Sequence, residues 1–336
     1  MLYTMYVRPV WLVLGGFYIS MKLKNAIDQF IKWKGLEIKQ NTVRGYYLDL
    51  LQFCLYMRNP DVEFIKEEHT TDYFNEMKML GWKNNSLTPK SSALRKLFEY
   101  CRMKGMNTIN YEMIQVVQRN YTPAKVAEDW EIEKLLELCP VNTSNLQQIR
   151  NRAIITLLRD TGARSGEICS LNVDDIKPGE MKTVIKTEKS RGLAPIREIF
   201  WEPETDQDIH RWLKARNELI EKLESNHKEI RNPEALFVGY SSWQAGKRIT
   251  SHAVSIILRK LSRRAGLDTV NPHSFRHRRG HELSKSGANN SIISGILGHS
   301  SLSSSYIYTM MNSSELQEAY KKFRPAKSSK YRTVGY

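Results

Sequence analysis

A chain of 336 residues is too long for one small module and fits two domains of roughly 100–200 residues each. Its 41% hydrophobic and 26% charged residues supply packed cores and exclude wholesale disorder. Lys+Arg 51 against Asp+Glu 36 leaves a formal charge of +15, which makes nucleic acid the leading partner and an anionic membrane the second.

Residues 10–19 form an apolar stretch after Arg8, too short to span a bilayer. Gly15 and Gly16 interrupt it and no A-x-A-like site follows, so it does not fit a signal peptide. Residues 1–21 read as an N-terminal extension, with translation expected to start at Met21. From residue 23 to about 106 the period is helical. Ile27, Phe30, Ile31 and Trp33 recur at helical spacing, then Tyr47, Leu48, Leu51 and Leu55, then Leu94, Leu97, Phe98 and Cys101. This predicts an all-α domain over 22–110. Lys22, Lys24, Lys32, Lys34, Lys39, Arg44, Lys90, Arg95, Lys96, Arg102 and Lys104 are expected on its polar faces. Those charges fit a solvated helix surface and a bundle lying on a phosphate backbone equally well.

Around Pro123 the period fades, and 111–128 reads as a linker. Helices are predicted over 131–138 and 149–159, the second with Ala153, Ile154, Leu157 and Leu158 on one side and a stop at Gly162. The period then changes, and 183–186 and 193–200 read as two strands around a polar turn. Helical patterns resume at Asp206 and run to the end of a second domain, 129–323, leaving 324–336 as a basic tail. No internal repeat is visible. Cys54, Cys101, Cys139 and Cys169 lack CxxC spacing, which excludes a disulfide framework or zinc ribbon and implies a reducing, intracellular compartment.

Four stretches are rich in anion-gripping groups. In TGARSGE (161–167), Arg164 stands in a turn before a helix with Glu167 close enough to hold it. An ordinary surface salt bridge would account for the same pair. The hairpin turn holds Lys186, Lys189 and Arg191, which can serve a leaving group or simply decorate the tip. After Asn271-Pro272, a helix start, HSFRH (273–277) sets His273 and Arg276 three apart on one helical face. His273, His277 and His281 lie four apart, as metal ligands can. Arg276, Arg278 and Arg279 interleave them and no HExxH glutamate is present, so no metal is expected. Finally, an apolar helix ends at Gly298, releasing His299, and a serine-rich loop delivers Tyr306 and Tyr308, residue types that are otherwise usually core.

In series, TGARSGE (161–167), KTEK (186–189), HSFRH (273–277), LGHSS (297–301) and IYT (307–309) resemble the tyrosine recombinase family of phage integrases and Xer proteins. The resemblance covers about 129–323, and the basic helices before it are similar to the family's core-binding domain. It implies a mainly α fold with a small antiparallel β-sheet, an all-α core-binding domain and a mixed α/β catalytic domain together clamping DNA. It makes Arg164 and Arg276 the grip on the scissile phosphate, Glu167 the support of the first arginine, His273 and His299 the two histidines, and Tyr308 the nucleophile, with Tyr306 its rival. Lys186 matches the lysine that protonates the departing 5′ oxygen, with Lys189 and Arg191 as rivals or backbone contacts, since the turn departs from the commoner GKG form.

The implied partners are a specific double-stranded DNA site and, in the synaptic complex, a homotetramer; no membrane and no nucleotide are involved. Location is cytoplasmic, at the nucleoid when bound. Residues 1–21 are too short for the extra arm-binding domain of lambda-type integrases, which leans towards a Xer-like resolvase or a simple integrase.

The chemistry agrees with those roles. Phenol attack on a phosphodiester builds negative charge on nonbridging oxygens, which fixed guanidiniums stabilise without a metal. A phenol of pKa about 10 must lose its proton and the alkoxide must gain one, work for positioned histidine and lysine. A phosphotyrosyl bond retains the phosphodiester energy, so rejoining needs neither ATP nor any other cofactor. The absence of GxxxxGK[ST] fits this reading. A type IB topoisomerase-like relaxase and a non-catalytic DNA-binding protein of the same fold are the alternatives.

Overall fold

The computed structural model describes residues 21–38, 40–120, 125–177, 179–186, 196–241, 244–298 and 313–323. The chain divides into two compact units, Met1–Thr122 and Pro123–Tyr336. The fold is mainly α with one two-stranded antiparallel sheet among the described residues. No helix among them is long and apolar enough to cross a membrane.

The first unit contains α1 (Leu23–Lys34), α2 (Gln40–Tyr56), α3 (Glu67–Met79) and α4 (Asn84–Met103). In α1, Leu23, Ala26, Ile27 and Phe30 make one buried stripe, and Lys32 and Lys34 complement the dipole in its last turn. The face of α2 differs from the expected one. Leu48 and Leu55 are 53% and 71% exposed, whereas Val43, Leu50, Phe53 and Cys54 are buried. Both stripes have helical spacing, and packing against α1 and α4 decides between them, with the Phe53 ring also meeting Tyr73 of α3 edge-on at 5.1 Å. Lys90 is likewise not on a polar face. It is buried in α4, with Nζ 2.7 Å from Asp49 Oδ1 and 2.6 Å from Gln52 Oε1, beneath the Trp82 ring. Lys22, Lys32, Arg44, Arg102 and Lys104 are exposed as expected; Lys39 lies outside the described residues.

The second unit runs through α5 (Asp129–Glu137), α6 (Leu146–Thr161), α7 (Ser165–Cys169), β1 (Lys182–Lys186), β2 (Ile196–Phe200), α8 (Pro203–Ser225), α9 (Ser251–Arg264), α10 (Pro272–Lys285), α11 (Asn290–Leu297) and α12 (Ser313–Phe323). Its centre is α6, whose Ala153, Ile154, Leu157 and Leu158 are buried in one core with Trp212, Phe237 and Phe275. The expected stop at Gly162 is present, in the left-handed conformation. β1 and β2 pair with Ile185 opposite Arg197 and Lys186 opposite Ile196. The expected strand residues 193–195 lie outside the described residues, as do 1–20 and 324–336.

The helical reading from Asp206 onward fails between α8 and α9. Residues 226–250 hold a buried non-helical run, Ala235-Leu236-Phe237-Val238, bent at Leu236 and Phe237, with isolated bridges from Ala235 to Asn172 and between Val238 and Arg248. Pro233 and Gly239 bound a run too short for a helix. Its carbonyls accept from buried side chains instead: Arg216 Nε to Ala235 at 2.8 Å, Trp212 Nε1 to Leu236 at 2.7 Å and Arg150 Nη1 to Val238 at 3.1 Å. All four cysteines are free and buried, and burial pushes the Cys101 thiol up to about 12 and the Cys139 thiol up to about 11. Those two are therefore packing groups rather than nucleophiles.

Candidate active site

The site begins where α6 stops. Gly162 has φ 59° and donates its N–H to Leu158 O at 3.0 Å. A Cβ there would lie 2.8 Å from Leu297 Cδ2 and 2.9 Å from Arg279 Cβ, so the position excludes side chains on conformational and on steric grounds. Gly162→Ala is expected to destabilise the second unit by about 3 kcal/mol, read in denaturant melts, from left-handed strain plus overpacking.

Two residues on, Arg164 caps the short helix α7 and Glu167 folds back to it. The Arg164 N–H donates to Glu167 Oε2 at 2.9 Å, and Arg164 Nη1 donates to Oε1 at 2.8 Å. Glu167 is fully buried, which separates this pair from an ordinary surface salt bridge. A third donor reaches the same carboxylate from β2, Arg197 Nη2 to Oε2 at 2.7 Å. Burial pushes the Glu167 carboxyl up, but the Arg197 charge and the Arg164 hydrogen bonds outweigh it and hold the group below its ordinary value.

Folding thus lowers this carboxyl's proton affinity. Its stabilisation is complete above the unfolded pKa of about 4.3 and is lost as pH falls through the lower folded value. Glu167→Gln, which leaves buried guanidiniums without their anion, should cost about 3–5 kcal/mol at neutral pH. The stability gap between wild type and Glu167→Gln should shrink as urea melts are taken progressively below about pH 4.

Arg276 arrives from α10. Asn271 starts that helix by accepting from the Ser274 N–H at 3.1 Å, with Pro272 in its first turn, and fully buried Phe275 pins it to the core. Arg276 is buried and donates from Nη1 to Gly162 O at 3.0 Å and from Nη2 to Leu297 O at 2.5 Å. Leu297 ends α11, which stops at left-handed Gly298. The same helix end takes Arg164 Nη2 on Gly298 O at 3.3 Å and Arg197 Nη1 on Ile296 O at 2.7 Å. The carbonyls that α6 and α11 leave unpaired at their negative ends therefore hold three guanidiniums.

Among the described residues, Arg164 and Arg197 pair with one carboxylate and Arg276 stands near enough to feel all three charges, leaving an excess of positive charge. Burial, then the charges of Arg164 and Arg197, push Arg276 down to about 9 against the pull of Glu167, and it stays ionised at neutral pH. Such a fixed, under-neutralised cluster is built to receive an anion with several acceptor oxygens.

The other expected residues are placed as follows. Lys186 is the exposed last residue of β1. His273 is exposed in the first turn of α10, three residues before buried Arg276, so one helical spacing serves surface and interior. His273 and His277, their rings 6.5 Å apart, line a cleft of about 740 Å³ with Lys125, Ser165 and His252. Among the described residues no three His, Cys, Asp or Glu side chains converge as a metal set. Lys189, Arg191, His299, Tyr306 and Tyr308 lie outside the described residues. Arg197 is the participant the sequence reading missed. Its signal is strand alternation: Arg197 shares a face with buried Ile199, and an arginine on a core-facing position requires a buried acceptor.

Residues 125–315 match the Phage integrase family, and residues 27–105 match its N-terminal SAM-like domain. Tyrosine recombinase XerD of Oceanobacillus iheyensis is 27% identical over 314 residues, 90% of this chain and 99% of that protein. Tyrosine recombinase XerC of Thermodesulfovibrio yellowstonii is 28% identical over 314 residues, 92% of this chain and 96% of that protein. Of solved structures, the Tn1549 transposon integrase in complex with transposon right end DNA gives a TM-score of 0.65 at 17% identity, covering 89% of this chain and 98% of that one. XerH recombinase bound to its difH substrate gives 0.60 at 22% identity, covering 88% and 94%. These structures share the fold.

Proposed function

This chain belongs to the phage integrase family, and from that premise we propose that it is a site-specific DNA recombinase that cleaves and rejoins duplex DNA through a 3′-phosphotyrosyl intermediate. The observation that carries the reading is the convergence of Arg164 and Arg276 on the helix-end carbonyls of α6 and α11, with Arg164 fixed by buried Glu167. Arg164 and Arg276 grip the nonbridging oxygens of the scissile phosphate, with Glu167 fixing the first of them. The Tyr308 oxygen attacks phosphorus and gives its proton to a histidine, for which His273 and His299 are the candidates. The bond to the 5′ oxygen breaks, and Lys186 protonates that oxygen, with Lys189 and Arg191 as backbone contacts. Attack by a 5′ hydroxyl from a partner strand reverses the step and, repeated, yields exchange through a Holliday junction.

In domain terms, 22–110 is the core-binding domain, 111–128 the linker and 129–323 the catalytic domain; 1–21 is an extension and 324–336 a basic tail. Strand exchange requires a homotetramer on two copies of a specific duplex site, in the cytoplasm at the nucleoid.

The test is a nicked suicide duplex carrying a candidate attachment or dimer-resolution site, incubated with the protein in EDTA and run on a denaturing gel. A covalent adduct at full yield in EDTA is expected, because guanidiniums supply the charge stabilisation. A strict metal requirement overturns the mechanism. Salt-sensitive binding without adduct on a verified site supports a non-catalytic clamp instead, and adduct with relaxation but no strand exchange supports a topoisomerase-like enzyme.

A further inference from the structure

We propose that Arg197 is a positioning residue that ties the β1–β2 hairpin to the arginine cluster and so sets where Lys186 delivers its proton. The inference rests on the reading of Lys186 as the acid of strand cleavage. The Arg197 side chain is 6% exposed, and one guanidinium joins three elements: its own strand β2, α7 through Glu167 Oε2 at 2.7 Å, and the end of α11 through Ile296 O at 2.7 Å. Gly298 leaves room for it, since a Cβ there would stand 2.6 Å from Arg197 Nε and 2.7 Å from Cδ. Arg197 faces Ile185 across the ladder, one register step from the pair of Lys186 with Ile196. A two-stranded hairpin is marginally stable by itself. This one exposes Val184 and Ile196, buries Ile185 and Ile199 in the core on its other face, and keeps its Lys182–Glu198 ion pair within the hairpin. Arg197 instead ties the hairpin, one step from the acid, to the carboxylate that fixes Arg164. A proton donor displaced by an ångström loses rate by about 10²-fold, so such a tie has direct catalytic weight.

The test separates acid placement from phosphate grip. Arg197→Met, Arg197→Lys, Lys186→Ala and Arg276→Ala are compared on two suicide duplexes, one ordinary and one with sulfur replacing the bridging 5′ oxygen. A thiol of pKa about 8.5 leaves as the anion without a proton donor. On the oxygen substrate Arg197→Met is expected to cleave about 10²-fold more slowly than wild type. On the sulfur substrate it should return close to the wild-type rate, as should Lys186→Ala, whereas Arg276→Ala stays slow on both. Arg197→Lys keeps the charge but lacks the fork to reach both acceptors, and should show the same rescue with a smaller defect. It carries the test if Arg197→Met does not fold, as judged by thermal melts and duplex affinity.

Rescue of Lys186→Ala without rescue of the Arg197 variants overturns the proposal alone. Wild-type rates for the Arg197 variants on oxygen do the same. Lys186→Ala that remains slow on sulfur overturns the acid assignment and the proposal with it.

Discussion

Tyr308→Phe is expected to abolish the covalent protein–DNA adduct while leaving duplex affinity essentially unchanged. The two halves of that result have different physical origins. On the proposed mechanism the adduct is a bond from the Tyr308 oxygen to phosphorus, and phenylalanine has no atom to make it; water activated by the rest of the site would yield free ends, not a protein-linked strand. Affinity, by contrast, is set by many phosphate contacts and their released counterions in a chain of charge +15. One neutral hydroxyl contributes about 0.5–1.5 kcal/mol at most to such a sum. The pair of measurements is a denaturing gel for adduct and a mobility shift for binding, with Tyr306→Phe run in parallel. Adduct retained by Tyr308→Phe and lost by Tyr306→Phe transfers the nucleophile to Tyr306. Loss of binding with Tyr308→Phe indicates a folding role instead.

How much of this was legible in the sequence depends on how far each feature reaches. Gly162 and Gly298 read as helix stops because a glycine after an apolar period is a local signal, and Asn271-Pro272 read as a start for the same reason. The motifs around Arg164, Glu167, His273 and Arg276 were visible as residue types at fixed spacing. What spacing cannot reveal is the tertiary partner. The α2 stripe of Leu48 and Leu55 is as periodic as the one that packs, and only the placement of α1 and α4 against the helix chooses between them. Lys90 looks like any surface lysine until Asp49 and Gln52 are seen beside it. The buried irregular run at 235–238 depends on Arg150, Trp212 and Arg216 from distant helices to satisfy its carbonyls. Arg197 combines both difficulties: strand alternation turns it inward, but its acceptors, Glu167 and Ile296, come from two other elements.

Arg164→Ala and Arg276→Ala are each expected to slow adduct formation by about 10²–10³-fold, the range for removing one preorganised donor at a developing oxyanion. The structure further predicts that the two variants part company in stability. Removing Arg276 strips donors from Gly162 O and Leu297 O, the ends of two helices, at a residue that is only 6% exposed. An unmet buried acceptor costs about 1–3 kcal/mol, so Arg276→Ala should melt earlier as well as cleave slowly. Removing the Arg164 side chain leaves Glu167 with Arg197 and with the Arg164 backbone N–H, and the carbonyl it abandons, Gly298 O, was held only at 3.3 Å. Arg164→Ala should therefore show nearly the same catalytic defect with a smaller loss of stability. Single-turnover cleavage at saturating enzyme, beside urea melts of each variant, separates the two effects. A wild-type cleavage rate in either variant removes that arginine from the phosphate grip, and equal melting losses would show that the helix-end carbonyls do not depend on Arg276.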